Sequence, residues 1–148
     1  MLLKIIEVSY IKMRYPLDEL IDKRSITQLK AERIEETQDR TRLINEFSDY
    51  TFAIADYINE NICTKEQVDS WHAQLYNANA NTWDLETNIR KGQTGNMSLE
   101  EVGKTAITIR ESNGVRVKIK SDIVEVIGLG YKDIKINHAS SLEGPKES

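Results

Sequence analysis

Residues 65–91 contain neither glycine nor proline, and helix start and stop signals stand at both ends of this stretch. Thr64-Lys65-Glu66-Gln67 is a capping box, in which the threonine hydroxyl accepts from a free amide while Gln67 reaches back. Basic Arg90 and Lys91 sit where the negative end of a helix dipole would fall, and Gly92-Gln93-Thr94-Gly95-Asn96 reads as a loop. Ser98-Leu99-Glu100-Glu101 is a second capping box, and Gly128 suits a left-handed C-terminal cap. Two long helices joined by so short a loop pack antiparallel, which predicts a hairpin over about 65–127. With 7 glycines and 2 prolines in 148 residues, long elements and few tight turns are expected throughout.

The first hairpin helix carries two stripes. Val68, Trp71, Leu75, Ala78, Thr82, Leu85 and Ile89 make a mostly apolar one, suited to a core. Beside it run His72, Tyr76, Asn79, Trp83, Glu86 and Arg90, a dense line of polar and aromatic groups. The second helix places Leu99, Val102, Ala106, Ile109, Ile119, Ile123 and Val126 inward, with Ser112, Asn113 and Arg116 interrupting them. Antiparallel register sets Asn113 and Arg116 roughly opposite Asn79 to Trp83, so interior polar groups meet at one level.

Upstream, Tyr15-Pro16 followed by Asp18 and Glu19 marks a helix start. Leu17, Leu20, Ile21, Ile26 and Leu29 give that helix an apolar face. The five-residue step from Ile21 to Ile26, across Asp22-Lys23-Arg24-Ser25, breaks the pattern and signals a kink or a polar buried contact. Residues 32–42 are nearly all polar and read as a solvated helix end and connection. Leu43, Phe47, Tyr50, Ile54, Tyr57 and Asn61 then form the seam of another helix. Residues 1–15 suit a short strand or helical turn, residues 131–138 alternate as an extended segment would, and residues 138–148 read as a flexible tail.

Composition narrows the function classes. A net charge of −4, with no run of Lys or Arg, argues against nucleic acid as a partner. No apolar run is long enough to cross a bilayer, and residues 1–7 lack the pattern of a signal peptide. The single cysteine, Cys63, excludes an intramolecular disulfide and a cysteine-rich metal site, so a cytoplasmic setting is expected.

The polar stripe admits two readings. In one, Asn79, Trp83, Glu86, Arg90, Asn113 and Arg116 form a clasp between helices, with Arg116 paired to Glu86 or capping a buried amide. In the other, they line a pocket for a small anionic or nucleotide-like ligand: Arg90 and Arg116 supply forked donors, Trp83 or Tyr76 a stacking surface, Asn79 and Asn113 selectivity. His72 and His138 are the residues with a pKa suited to general base work, but His72 shows no carboxylate partner and reads as a satisfied histidine. Glu32/Glu35 and Glu46/Asp49 place carboxylate pairs on single helix faces, a spacing magnesium sites use. That arrangement is similar to the all-α nucleoside triphosphate pyrophosphatases, although the gap between the pairs is shorter than theirs.

The residues Leu20-Ile21-Asp22-Lys23, Ile26 and Leu29-Lys30, then Asn79-x-x-x-Trp83-Asp84-x-Glu86-x-x-x-Arg90, then Asn113-x-x-Arg116-x-Lys118 and Ile123 resemble an uncharacterised family of small helical bacterial and bacteriophage proteins. Its bacterial members tend to be encoded among surface-polysaccharide genes. The resemblance spans about residues 16–137. Thr82 stands where the pattern has Leu, Thr87 where it has an acid, and Arg24 and Thr27 where it has apolar residues. It implies that the polar stripe is a hallmark and that a phage or bacterial origin fits, but it brings no activity.

The expected molecule is therefore all-α: a single domain over residues 1–137, with a long antiparallel hairpin packed on one or two N-terminal helices. The expected role is a non-catalytic cytoplasmic binding or assembly protein, a phage accessory factor among the candidates, with no cofactor or metal. A homo-oligomer formed through a helical face is the expected partner, since apolar stripes on more than one face exceed what four helices cover. The alternative is a small enzyme or ligand-binding protein acting on nucleotides or nucleotide sugars. The site residues for such a ligand would be Tyr76, Asn79, Trp83, Glu86, Arg90, Asn113 and Arg116.

Overall fold

Leu17–Arg33 (α1) is the helix on which the others converge, packing against each of the remaining three. The structure, a computed structural model, describes residues 14–129 apart from the side chains of Gln93 and Thr94. α2 spans Thr37–Asn59, α3 Lys65–Thr94 and α4 Leu99–Ile127, and no strand occurs among the described residues. The protein is all-α, as expected. The extended segments anticipated at the two ends, and the tail over 138–148, lie outside the described residues.

Both capping boxes form. Thr64 Oγ1 accepts from the Gln67 amide while Gln67 Oε1 accepts from Thr64, and Ser98 and Glu101 reciprocate likewise. Gly128 closes α4 at φ +68°, where a side chain would be strained. Boundaries differ in two helices: α2 begins at Thr37, inside the stretch read as a connection, and ends at Asn59, before Asn61 (φ +59°), and α3 continues through Gly92 to Thr94 rather than breaking at Gly92. Gly92 serves packing instead, because a Cβ there would collide with the Met97 side chain in the turn that follows.

The core lies at the end of the hairpin away from this turn. Leu17, Leu20 and Ile21 of α1 meet Ile54 and Tyr57 of α2, Val68, Trp71 and Leu75 of α3, and Ile123 of α4. Each of these residues is at least nine-tenths buried, and burying such side chains contributes roughly 1.5–3 kcal/mol apiece. The apolar stripe of α3 is therefore the core face, but only as far as Thr82.

α4 corrects the sequence reading more sharply. Leu99, Ala106 and Val126, expected inside, are exposed, Leu99 by 91%. For Leu99 and Ala106 the reason is length: α1 ends at Arg33, so the outer half of the hairpin has no third helix to cover it, whereas Val126 stands at the core end of α4 on its outer face, beside buried Ile123 and Val124. No described side chain of α3 beyond Thr82, and none of α4 before Ser112, is buried.

Candidate functional site

α1 has hairpin helices and α2 around it, so even its polar residues turn inward. Asp18, Asp22, Arg24, Ser25 and Thr27 are all buried. Partners replace water for most of these groups, whereas the buried Asp18 Oδ1 has no hydrogen-bond partner among the described residues, and burial raises the pKa of that carboxyl. The five-residue step in the α1 pattern is thus a polar buried contact.

Its centre is Asp22, 1% exposed. Arg116 Nε donates to both carboxylate oxygens at 3.1 Å, and Arg116 Nη2 donates to Oδ2 at 2.8 Å. This fork is the geometry in which a guanidinium–carboxylate pair is strongest. Asn79 Nδ2 donates to Asp22 Oδ1 and to Ser25 Oγ, each at 3.0 Å, and Ser25 Oγ donates to the Asp22 carbonyl at 2.7 Å. Lys120 Nζ stands 3.9 Å from Asp22 and donates to Glu19 Oε1 at 2.5 Å. Two cations thus face two carboxylates, and one residue of α3 and two of α4 are tied to α1. A second polar contact, from Asn81 and Thr82 to Ser112, joins the hairpin helices at the neighbouring level.

A polar clasp forms, but it ties the hairpin to α1 rather than the two hairpin helices to each other, and its members differ from those expected. Asn79 and Arg116 belong to it, at the level antiparallel register places them. Arg116 pairs with Asp22, not with Glu86. Asn113 is half-buried and is not bonded to Asp22. Tyr76 donates to Glu32 at 2.5 Å on the rim. Trp83, Glu86 and Arg90 line a shallow cleft of about 220 Å³ with Thr87, away from Asp22. The single pocket expected from the seven stripe residues is therefore split: the clasp occupies its base and Trp83 marks its other end.

A further buried polar group involves α1, α2 and α3. Arg24 Nε donates to His72 Nδ1 at 3.1 Å and Arg24 Nη1 to Thr51 Oγ1 at 3.3 Å. With Nδ1 accepting, the proton sits on Nε2 and is donated to Gln28 Oε1 at 2.6 Å. Phe47 packs its ring edge-to-face with His72, centroids 6.0 Å apart. Burial first, and the charge of Arg24 second, push the His72 pKa down to about 4, with Asp69 partly offsetting them. His72 is a satisfied neutral histidine, not a base presented to substrate.

The carboxylate pairs do not gather. Glu32 accepts from Tyr76, Glu46 accepts from Tyr50 at 2.8 Å, and among the described residues no three His, Cys, Asp or Glu side chains are grouped to hold a metal. Asp22, Ser25, Glu19 and Lys120 escaped the sequence reading as site residues. For Asp22 and Ser25 the one visible signal was the interrupted apolar spacing of α1; Glu19 and Lys120 carried none.

Trp83 also lines an open cleft of about 520 Å³ at the corner between α1 and α2. Ile34 and Leu43 line it with Trp83, and Lys30, Arg33, Asp39 and Arg42 supply its charges. Arg33 donates to Asp84 at 2.6 Å, and its guanidinium lies 5.6 Å from the centre of the Trp83 ring.

Compared with protein-family profiles, characterised proteins and solved structures, the chain finds no match.

Proposed function

We infer that this is a non-catalytic assembly protein that pairs with a second copy of itself through the outer half of the hairpin. The observation that carries this reading is the length mismatch between α1 and the hairpin. Residues 83–94 of α3 and 99–111 of α4 extend about 18–20 Å at the usual helical rise, as a two-helix arm. Leu85, Ile89, Val102 and Ile109 are only half-covered there, and Ile107 is 49% exposed. Two helices alone hold little stability in water, and apolar stripes left this open commonly mark an interface. Ile44 and Phe52, exposed on α2, are isolated side chains two turns apart and make no comparable strip.

Charge order along the arm selects a second copy as partner. In α3 acidic Asp84 and Glu86 precede basic Arg90 and Lys91, and in α4 acidic Glu100 and Glu101 precede basic Lys104 and Arg110. Two arms laid antiparallel about a two-fold axis bring the acidic start of α3 against its basic end, and Glu100 and Glu101 of α4 toward Arg110, which Glu111 follows. Such an isologous contact is self-complementary in charge as well as in apolar area. A cytoplasmic setting fits the buried thiol of Cys63, which desolvation holds above its usual pKa and keeps unreactive. No helix among the described residues is long and apolar enough to span a membrane. A bacterial or phage assembly role also agrees with the resemblance carried by the Asn79–Trp83–Glu86–Arg90 segment.

Light scattering on the eluting protein at tens of micromolar tests this. The expected mass is twice the 17.0 kDa of one chain, falling to one chain in Ile107→Glu with helicity unchanged. A 17.0 kDa particle for the parent protein at that concentration refutes the pairing.

A further inference from the structure

We propose that the cleft at the α1–α2 corner binds a small organic anion carrying a flat aromatic part, of which a nucleoside monophosphate is the simplest example. This goes beyond the assembly role, and it moves the ligand away from most of the stripe residues that suggested one, keeping only Trp83.

The cleft exists because α1 stops at Arg33 and the chain passes through extended backbone at Ile34 and Glu36 before α2 begins. Arg40 donates to the Ile34 carbonyl and ties down this corner. Its volume of about 520 Å³ lies within the range of small-molecule sites. The chemistry of its walls is mixed in a particular way. Ile34 and Leu43 give an apolar floor, and Trp83 an aromatic edge, which favour a flat apolar body. Lys30, Arg33 and Arg42 line it beside Asp39, with Asp84 pairing Arg33 and Glu36 standing against Asp39, so the cleft offers forked and ammonium donors rather than a net positive charge.

The two ends of the cleft differ. Arg33 is held in position by Asp84, so the cation beside the Trp83 ring is already ordered before a ligand arrives. Lys30 and Arg42 are exposed and offer an ammonium and a forked guanidinium, the donors that suit phosphate or carboxylate oxygens. Asp39 adds an acceptor, which suits a ligand that also bears hydroxyl donors, as a ribose does. Flat body against Trp83, anion toward Lys30 and Arg42, and hydroxyls toward Asp39 use every wall of the cleft.

Calorimetric titration of the full chain with adenosine monophosphate, adenosine and inorganic phosphate tests the proposal. Adenosine monophosphate is expected to saturate one site per chain. Adenosine and phosphate should each bind about tenfold more weakly or worse, since each lacks one set of contacts. Arg42→Met, on an exposed position, should weaken the nucleotide about tenfold without moving the melting temperature, and Trp83→Leu should weaken it as well. The proposal is overturned if none of the three probes saturates at millimolar concentration. It is equally overturned if phosphate binds as tightly as the nucleotide, or if Arg42→Met binds the nucleotide as the parent does.

Discussion

Replacing Asp22 by Asn keeps its shape and removes its charge, so it isolates what the clasp contributes. Asp22 is 1% exposed and accepts three hydrogen bonds from Arg116 and one from Asn79. An amide retains one acceptor oxygen, and its nitrogen is a donor that would face another donor whichever way it turns. Breaking a buried ion pair by removing one partner costs about 3–5 kcal/mol. The Arg116 side chain is 32% exposed and can partly rehydrate, which places Asp22→Asn near the lower end, about 3 kcal/mol. Arg116→Met strands the carboxylate itself, with only Asn79 and the more distant Lys120 left to balance it, and belongs toward the upper end. Against a domain stability of about 5–15 kcal/mol either loss is large. Equilibrium unfolding in urea, followed by circular dichroism at neutral pH, reads both variants and the double variant. The double should cost clearly less than the sum of the singles, because both changes remove the same pair. Arg90→Met, whose parent residue is exposed, should stay within about 0.5 kcal/mol. An Asp22→Asn loss below about 1 kcal/mol would refute the account of the clasp.

The two tryptophans should separate by burial. Trp71→Ala removes a core ring and should cost about 3–5 kcal/mol, whereas Trp83→Ala, half-buried at the edge of a cleft, should cost about half that, and melts that reverse this order would contradict the placement of both rings. The folded pKa of His72, about 4, lies below its ordinary 6.5, so between those values the unfolded chain holds a proton that the folded chain lacks. Stability is therefore full above about pH 6.5 and falls as pH drops toward about 4, by about 2 kcal/mol after allowing for partial exposure. His72→Gln should remove that part of the slope, and parallel loss of stability in parent and variant across the window would show that His72 does not cause it.

The hairpin was legible in the sequence because its signals are local. A capping box needs four neighbouring residues, and antiparallel register follows from loop length, which is why Asn79 and Arg116 were placed at one level. Asp22 was not legible as their partner, because nothing in the spacing of α1 fixes how it lies against a hairpin about 60–90 residues downstream. Trp83 failed for a different reason. Spacing shows that Trp83, Glu86 and Arg90 share a face, but whether that face is covered depends on where α1 ends. The same ignorance put Leu99 and Ala106 inside.

The position of α1 as the helix with most neighbours also constrains the order of events when the chain is made. Asp22 lies 94 residues before Arg116, and Glu19 lies 101 before Lys120, so both contacts close late and at high loop-entropy cost. During synthesis α1 precedes the other described helices, and while it can pack on α2 and α3 as they follow, its contacts with α4 wait until almost the whole of that helix has been made. A helix that was apolar on every side would spend that interval as an aggregation hazard. The inward charges and hydroxyls that face α4 are expected to stay hydrated until their partners arrive, so the polarity that disguised α1 in the sequence would also lower that hazard.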